Sequence, residues 1–197
     1  MRPIEKAERW AAKLSEHPVI FSGPSVRAIR AGRKTQTRRC TSLHAEVGET
    51  LWVRETWAAD ATWDGAKPGD IPPGEPIWYR ADTLDMPLAH GKWRPSIFMP
   101  RWASRIDLEV TGVRREHVQE ILMVDCFAEG VPPMPSPVAR RARAYFECIW
   151  DSFHGKRPGR TWADNPEVFV YEFGLRFIRT EEGAESQDFA TQGEGDA

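Results

Sequence analysis

Apolar and polar residues alternate with a period of two along several segments, the pattern of β-strands that bury one face. The clearest alternations lie at residues 51–57, 106–113 and 167–178. Shorter apolar runs at 19–21 and 77–80 predict two more strands. In the first alternation Leu51, Val53, Glu55 and Trp57 share one face, so a carboxylate is expected among apolar neighbours. Such a carboxylate is either buried and paired or lines a pocket.

Apolar residues at helical spacing predict four short helices, at residues 4–15, 25–31, 125–130 and 139–153. No alternation of strand, helix and parallel strand is present, which argues against a Rossmann fold. Strands interleaved with a few short helices and long Pro-rich loops favour a small mixed or barrel-like sheet capped by helices. The predicted fold class is therefore α+β.

The length of 197 residues suits one domain with tails. We predict an N-terminal helical extension at residues 1–17 and a domain at residues 18–180, with a Pro-rich insertion near residues 58–101. Residues 181–197 contain six acidic residues and no Lys or Arg, and we expect this tail to be disordered.

The formal net charge of -2 is unevenly distributed, because the acidic tail leaves residues 1–180 with about +4. A mildly basic body is compatible with a nucleotide or RNA partner without demonstrating one. Nine tryptophans are many for this length. Aromatic rings stack on bases as well as filling cores, and core packing is the default interpretation for most of them.

Metal ligation and disulfide bonding are both disfavoured by the Cys and His pattern. Cys40, Cys126 and Cys148 are odd in number, and neither they nor the five histidines form a ligand cluster. We therefore predict no metal and no cofactor. The sequence has no signal-peptide core and no apolar run of membrane-spanning length, so we expect a cytoplasmic protein with no membrane partner.

The segment at residues 32–39, Gly-Arg-Lys-Thr-Gln-Thr-Arg-Arg, carries the clearest chemical signal. Lys34 precedes Thr37 by three residues, and a lysine acts as a base toward a hydroxyl when burial or nearby cations lower its pKa. The positive charges of the neighbouring arginines are expected to lower the pKa of Lys34. Charge composition alone favours a solvated basic turn instead.

Gly32, Lys34, Thr37 and Arg39 fit the G-x-K-x-x-T-x-R signature of the ASCH domain, and this chain resembles that family. Further family-like elements follow in the family's order, at residues 48–53, 125–130 and 169–173. The runs at residues 51–57 and 93–102 resemble the longer branch that is carried by phages and prophages. The resemblance covers about residues 18–178 and implies a small PUA-like β-barrel.

The family includes RNA-binding modules and amidohydrolases that deacylate N(4)-acetylcytidine with a Lys/Thr/Glu trio. Carried over to this sequence, the resemblance implies catalytic roles for Lys34, Thr37 and Glu129, and it implies that Arg39 holds the cytosine carbonyl or a phosphate. Without the resemblance, Glu129 would be interpreted as an exposed glutamate near a helix end. Arg39 would be interpreted as one half of a surface ion pair.

Glu55, Trp57, Tyr79 and Arg80 are candidates for further substrate contacts, with core packing as the alternative for the aromatic residues. Residues 155–159 superficially suggest phosphate binding, but they lack the P-loop pattern and are interpreted as a loop. Three hypotheses remain for the function: an amidohydrolase acting on acylated cytosine or cytidine, an RNA-binding module without turnover, and a ribonuclease using the same basic cleft. The presence of Lys34, Thr37 and Glu129 together favours the enzyme.

Overall fold

The computed structural model describes residues 15–82, 90–135, 141–180 and 183–185. In these ranges the helices are α1 (Gly23–Arg30), α2 (Met123–Ala128) and α3 (Ala142–His154). The strands are β1 (Glu16–Ile20), β2 (Gln36–Arg39), β3 (Thr50–Arg54), β4 (Trp57–Ala58), β5 (Trp78–Tyr79), β6 (Ile106–His117), β7 (Glu167–Thr180) and β8 (Gly183–Glu185). Short 3₁₀ turns connect several of them.

The main sheet has the order β1-β3-β6-β7-β2, and β8 also pairs with β7. The β1–β3 pair is parallel and the other pairs are antiparallel, which confirms the predicted α+β class with a mixed sheet. The predicted barrel is incomplete, because no backbone ladder joins β1 to β2 within the described ranges. A side chain spans this gap instead, since Arg39 Nη2 donates to Ile20 O at 2.7 Å.

β7 is buried on both faces and separates two parts of the core. Val168 and Val170 face the apolar cluster beneath α2 and α3. Tyr171 and Phe173 belong to the cluster that β1, β3 and β6 cover. All four are at most 3 % exposed, and complete burial of such side chains stabilises the fold by roughly 1.5–3 kcal/mol each. β7 is therefore the scaffold against which β2 is positioned.

The alternation at residues 51–57 correctly predicts the buried face: Leu51, Val53, Glu55 and Trp57 are each at most 2 % exposed. The prediction of one continuous strand is wrong. β3 ends at Arg54, and Trp57 starts β4, which pairs with β5. The break has a physical cause, because the backbone partner changes here and Trp57 N bonds to Arg94 O at 3.2 Å.

The Pro-rich insertion is more ordered in its described part than its composition suggests. A third apolar cluster forms here from Trp57, Ala59, Ile71, Met99 and Ala103, although the Pro-rich composition predicts mostly loop for residues 58–101. Short 3₁₀ turns and the β4–β5 pair fold this segment. Prolines that interrupt regular ladders are compatible with such turns, which require few backbone donors.

The structure describes a short segment beyond each predicted end of the domain. β1 begins at Glu16, two residues before the predicted boundary, and the predicted helix at residues 4–15 lies almost wholly outside the described residues. At the other end, Gly183–Glu185 pairs with β7, although the whole tail was expected to be disordered. The remaining tail also lies outside the described residues.

Candidate functional site

The start of β2 is held between the ends of α1 and α2. Gly32 follows α1 with φ 67, a left-handed conformation that glycine adopts without strain. The chain then turns back, and Lys34 N donates to Ala28 O at 3.1 Å. Thr35 N donates to Ala128 O at 2.8 Å, and Lys34 forms an isolated β-bridge with Glu129. The turn therefore brings together two residues that are 95 positions apart in the sequence.

Gly130 allows this close approach. Its φ is 94, and a Cβ at this position would lie 3.2 Å from Ala28 Cβ and 3.3 Å from Lys34 Cβ. Any other residue would combine backbone strain with steric crowding of the lysine stem. A glycine directly after Glu129 thus lets α2 pack closely enough for the carboxylate to reach Lys34.

Lys34 is only 5 % exposed and uses all three of its N–H donors. Nζ donates to Gln36 O at 2.8 Å, to Glu129 O at 2.8 Å and to Glu129 Oε2 at 2.7 Å. The solvated basic turn that charge composition favoured is therefore incorrect for Lys34, which forms a buried ion pair.

Burial lowers the pKa of the Lys34 ammonium, because the charged form loses its hydration. The Glu129 carboxylate acts in the opposite direction, while Arg39 and Arg38 add to the lowering. The lowered pKa favours loss of a proton from the Lys34 ammonium, whose Nζ lies 2.7 Å from Glu129 Oε2.

Arg38 holds the other oxygen of Glu129 and was not identified as a site residue from the sequence. Its side chain has no exposed surface, and Nη1 lies 3.2 Å from Glu129 Oε1. The same guanidinium bonds to Glu116 Oε1 at 2.6 Å, to Asp125 Oδ2 at 3.3 Å and to Gln36 Oε1 at 2.9 Å. No local sequence signal reveals these partners, because its three acidic partners are 78 to 91 residues away in the sequence.

Thr37 and Arg39 alternate with Arg38 along β2 and so face the opposite side of the sheet. Thr37 is 4 % exposed and pairs in register with Tyr171. Its hydroxyl has no side-chain hydrogen bond to any residue that the structure describes. The Arg39 guanidinium lies 5.2 Å from the Phe21 ring centroid, and Lys34 Nζ lies 5.5 Å from the same ring. Phe21 is thus a common neighbour of both motif cations.

The second set of predicted contacts forms a separate cluster. Glu55 accepts from Arg105 through both oxygens, at 2.9 and 3.1 Å, and Arg105 also pairs with Asp82. The Arg105 guanidinium lies 3.8 Å from the Tyr79 ring centroid, and the Tyr79 hydroxyl donates to Ala103 O at 2.9 Å. Burial raises the pKa of Tyr79 to about 12. No hydrogen bond or ion pair in the described part of the chain joins this cluster to Lys34 or Glu129.

Two residues of this set are enclosed in the fold. Trp57 has no exposed surface, and Glu55 bonds to Arg105 through both oxygens. An apolar face with one carboxylate is typical of a pocket wall as well as of a core, and here the carboxylate lies within the core as part of an ion pair. Arg80 is exposed and stacks at 5.7 Å over Trp93.

A cavity of about 420 Å³ lies next to the motif and is lined by Arg33, Phe127, Ala128, Val131, Pro133 and Met134. Its volume is in the range of small-molecule sites. Lys34, Thr37 and Glu129 are not among its lining residues, although two of these directly adjoin lining residues in the sequence. Arg33 is its single charged wall residue, so the cavity lacks the converging polar groups of a reaction centre.

Among the residues that the structure describes, no three His, Cys, Asp or Glu side chains are placed to hold a metal ion. Among the helices in the same ranges, none has both the length and the apolar character needed to cross a membrane.

Comparisons with known proteins give structural similarity only. No model of a protein family matches the sequence, and no curated protein does. An ASCH domain from Lactobacillus crispatus JV V101 aligns with a TM-score of 0.43 at 12% identity, over 85% of this chain and 84% of that one. A DUF984 protein from Enterococcus faecalis V583 aligns with a TM-score of 0.48 at 9% identity, over 91% of this chain and 88% of that one. Similarity at this level assigns no function.

Proposed function

We propose that this protein is a metal-independent amidohydrolase that removes the acyl group from N(4)-acylated cytosine or cytidine. The observation that carries the proposal is the buried Lys34–Glu129 pair at 2.7 Å, at the start of the strand that contains Thr37. The family resemblance supports it: the G-x-K-x-x-T-x-R signature carries over Lys34 and Thr37 from acetylcytidine amidohydrolases, and the element at residues 125–130 carries over Glu129. Arg39 lies on the Thr37 face of β2, and we assign its guanidinium to an oxygen of the substrate, either the cytosine carbonyl or a phosphate.

In the first half of the proposed reaction, Thr37 Oγ attacks the acyl carbon, and Lys34 in its amine form takes the hydroxyl proton. Glu129, as the acid, gives its proton to N4 while the C–N bond breaks. Cytosine leaves with a free amine, and the acyl group remains on Thr37 as an ester. Lys34 is then an ammonium and Glu129 a carboxylate, the ionic form of the same pair.

In the second half, water attacks the ester and gives a proton to the Glu129 carboxylate. Thr37 Oγ leaves the acyl carbon and takes a proton from the Lys34 ammonium. The carboxylic acid is released, and Lys34 and Glu129 return to the amine and acid forms. Every proton is thus taken up or given by Lys34 or Glu129, and no additional reactant besides water is needed.

Binding without turnover is a second candidate, and one observation favours it. All three Lys34 donors are satisfied, and the Lys34 and Glu129 side chains are only 4% and 6% exposed. An ion pair with a purely structural role would also have all of its donors satisfied and little exposed surface. Under this alternative the cations around β2 hold RNA, and Thr37 has no chemical role.

The test is to incubate the purified protein with N(4)-acetylcytidine and to follow cytidine formation by chromatography. Thr37→Val keeps the shape of the side chain and removes the hydroxyl. Thr35→Val is the matched control, because Thr35 belongs to the same motif and is exposed. We expect turnover by the wild type and Thr35→Val, with loss in Thr37→Val of roughly a hundredfold or more. Absence of cytidine from the wild type would refute the enzyme.

A further inference from the structure

A second group of cations lies beyond the end of β2 and takes no part in the proposed reaction. Arg157 and Arg160 belong to the loop that follows α3. Arg157 N donates to His154 O at 2.8 Å, and Arg160 N donates to Arg157 O at 3.1 Å. These bonds connect His154, Arg157 and Arg160 through two successive backbone turns.

Contacts with α3 hold this loop near Arg39. Trp150 Nε1 donates to Arg160 O at 2.9 Å, and the Trp150 ring centroid lies 4.3 Å from that of His154. Cys40 directly follows Arg39 and packs against the apolar cluster that contains Trp150. The end of β2 and the loop are therefore both anchored on the apolar cluster that contains Trp150.

These cations have no directly paired carboxylate in the described ranges, although the Glu129 charge acts on Arg39 from further away. Arg39, Arg157 and Arg160 form no ion pair with any carboxylate in the part of the chain that the structure describes. Arg39 Nε and His154 Nδ1 are buried and have no hydrogen-bond partner there. The nearby Asp151 accepts from Trp162 N at 2.7 Å. Buried nitrogen atoms without a hydrogen-bond partner are uncommon in folded proteins, and each calls for an explanation.

The pKa shifts of His154 and Cys40 are consistent with three arginines lying nearby. Burial lowers the pKa of His154, and Arg157, Arg39 and Arg160 lower it further. For Cys40, burial raises the pKa of the thiol while the same three arginines oppose the increase. All three guanidinium groups therefore contribute positive potential at one place.

We propose that Arg39, Arg157 and Arg160 form a phosphate-binding subsite beside the Lys34–Glu129 pair. Guanidinium groups bind phosphate oxygens through paired hydrogen bonds, and Arg157 is exposed to receive such a ligand. Arg39 connects the subsite to the reaction centre, because Arg39 and Lys34 share Phe21 as a neighbour. The substrate is then a phosphorylated cytosine nucleotide, free or within an RNA strand. The identity of the base rests on the proposed function.

The test compares binding of cytidine 5′-monophosphate with binding of cytidine by isothermal titration calorimetry. The variant is Arg157→Ala with Arg160→Ala. The control is Lys67→Ala with Lys92→Ala, which also removes two exposed positive charges and lies outside the subsite. We expect the wild type and the control to bind the monophosphate about tenfold tighter than cytidine, or more. The arginine variant should lose this preference, and inorganic phosphate should displace the monophosphate from the wild type.

Three results would overturn the subsite: no binding of the monophosphate, equal affinity for both ligands, or the same loss in the control variant. Binding of oligocytidylate distinguishes the two possible sources of the phosphate, an RNA strand and a free nucleotide. Tighter binding of the oligomer with a steep salt dependence indicates an RNA strand, whereas affinity equal to that of the monophosphate indicates a free nucleotide. Neither calorimetric ligand has an acyl group to lose. A phosphate preference without acetylcytidine turnover would therefore refute the hydrolase and retain the subsite.

Discussion

Two buried ionic clusters among the described residues differ in the cation that pairs with the carboxylate. Around Glu55, an arginine binds a carboxylate through two hydrogen bonds beneath an aromatic ring. Around Glu129, the partner is a lysine whose pKa burial lowers, close to the strand that contains Thr37. Arginine does not release its proton in proteins, whereas lysine does. Burial of charge therefore does not by itself make a site, and a titratable cation is needed as well.

The largest effect on stability should come from the Glu55 cluster. Arg105→Ala leaves a carboxylate buried without its partner, so we expect the free energy of unfolding to fall by about 3–5 kcal/mol. Arg115→Ala is the control, because its pair with Glu167 is more than half exposed on the arginine side and should contribute less than about 1 kcal/mol. Urea denaturation measures both. Equal losses in the two variants would contradict the structural role of Arg105.

Substitution of Arg38 tests the cluster around Glu129. Arg38→Lys keeps the charge but loses the fork that binds Glu129, Glu116 and Asp125 together. We expect kcat to fall by roughly ten- to a hundredfold, because Glu129 is then misplaced. Arg114→Lys is the control, since Arg114 contacts Glu116 from a position that is 37% exposed. If Arg38→Lys keeps the kcat and the pH profile of the wild type, Arg38 does not position Glu129.

Gly130→Ala tests whether the Lys34–Glu129 geometry requires the close packing that a glycine allows. The substitution introduces strain at φ 94 of roughly 1–2 kcal/mol, and it also brings a methyl group against Lys34. Gly74→Ala introduces similar strain at φ 98 in open space. Both variants should lose stability in thermal melts, but only Gly130→Ala should lose turnover. Equal activities would show that the Lys34–Glu129 geometry tolerates displacement.

The smallest effect is a pH dependence of stability. The folded-state pKa of Lys34 is lower than the unfolded value of 10.5, so the unfolded chain binds more protons between those two values. Stability should therefore rise with pH in this window, by at most about 1.4 kcal/mol per pH unit, and become constant above the unfolded pKa. Denaturation of the wild type and Lys34→Met across the window isolates this contribution. Parallel curves would mean that the pKa of Lys34 is unchanged on folding.

Local patterns predicted the elements, but contacts between distant segments were not visible in the sequence. The period-two pattern correctly placed Glu55 on a buried face, yet its partner Arg105 is 50 residues away. The proximity of Lys34 and Glu129 was expected from the family resemblance and not from spacing. Arg38 was overlooked because a charged residue in a basic run normally faces solvent. The open side of the sheet depends on packing between β1 and β2, which no local pattern specifies.

The most direct test of the central claim is a double-mutant cycle on N(4)-acetylcytidine turnover with Lys34→Ala and Thr37→Val. If lysine and threonine act as one unit, each substitution should lower kcat by roughly a hundredfold or more, and the double variant should be little worse than either. Circular dichroism should show that each variant remains folded. Mild effects that multiply in the double variant would contradict a shared role, and they would leave Lys34–Glu129 as a structural ion pair.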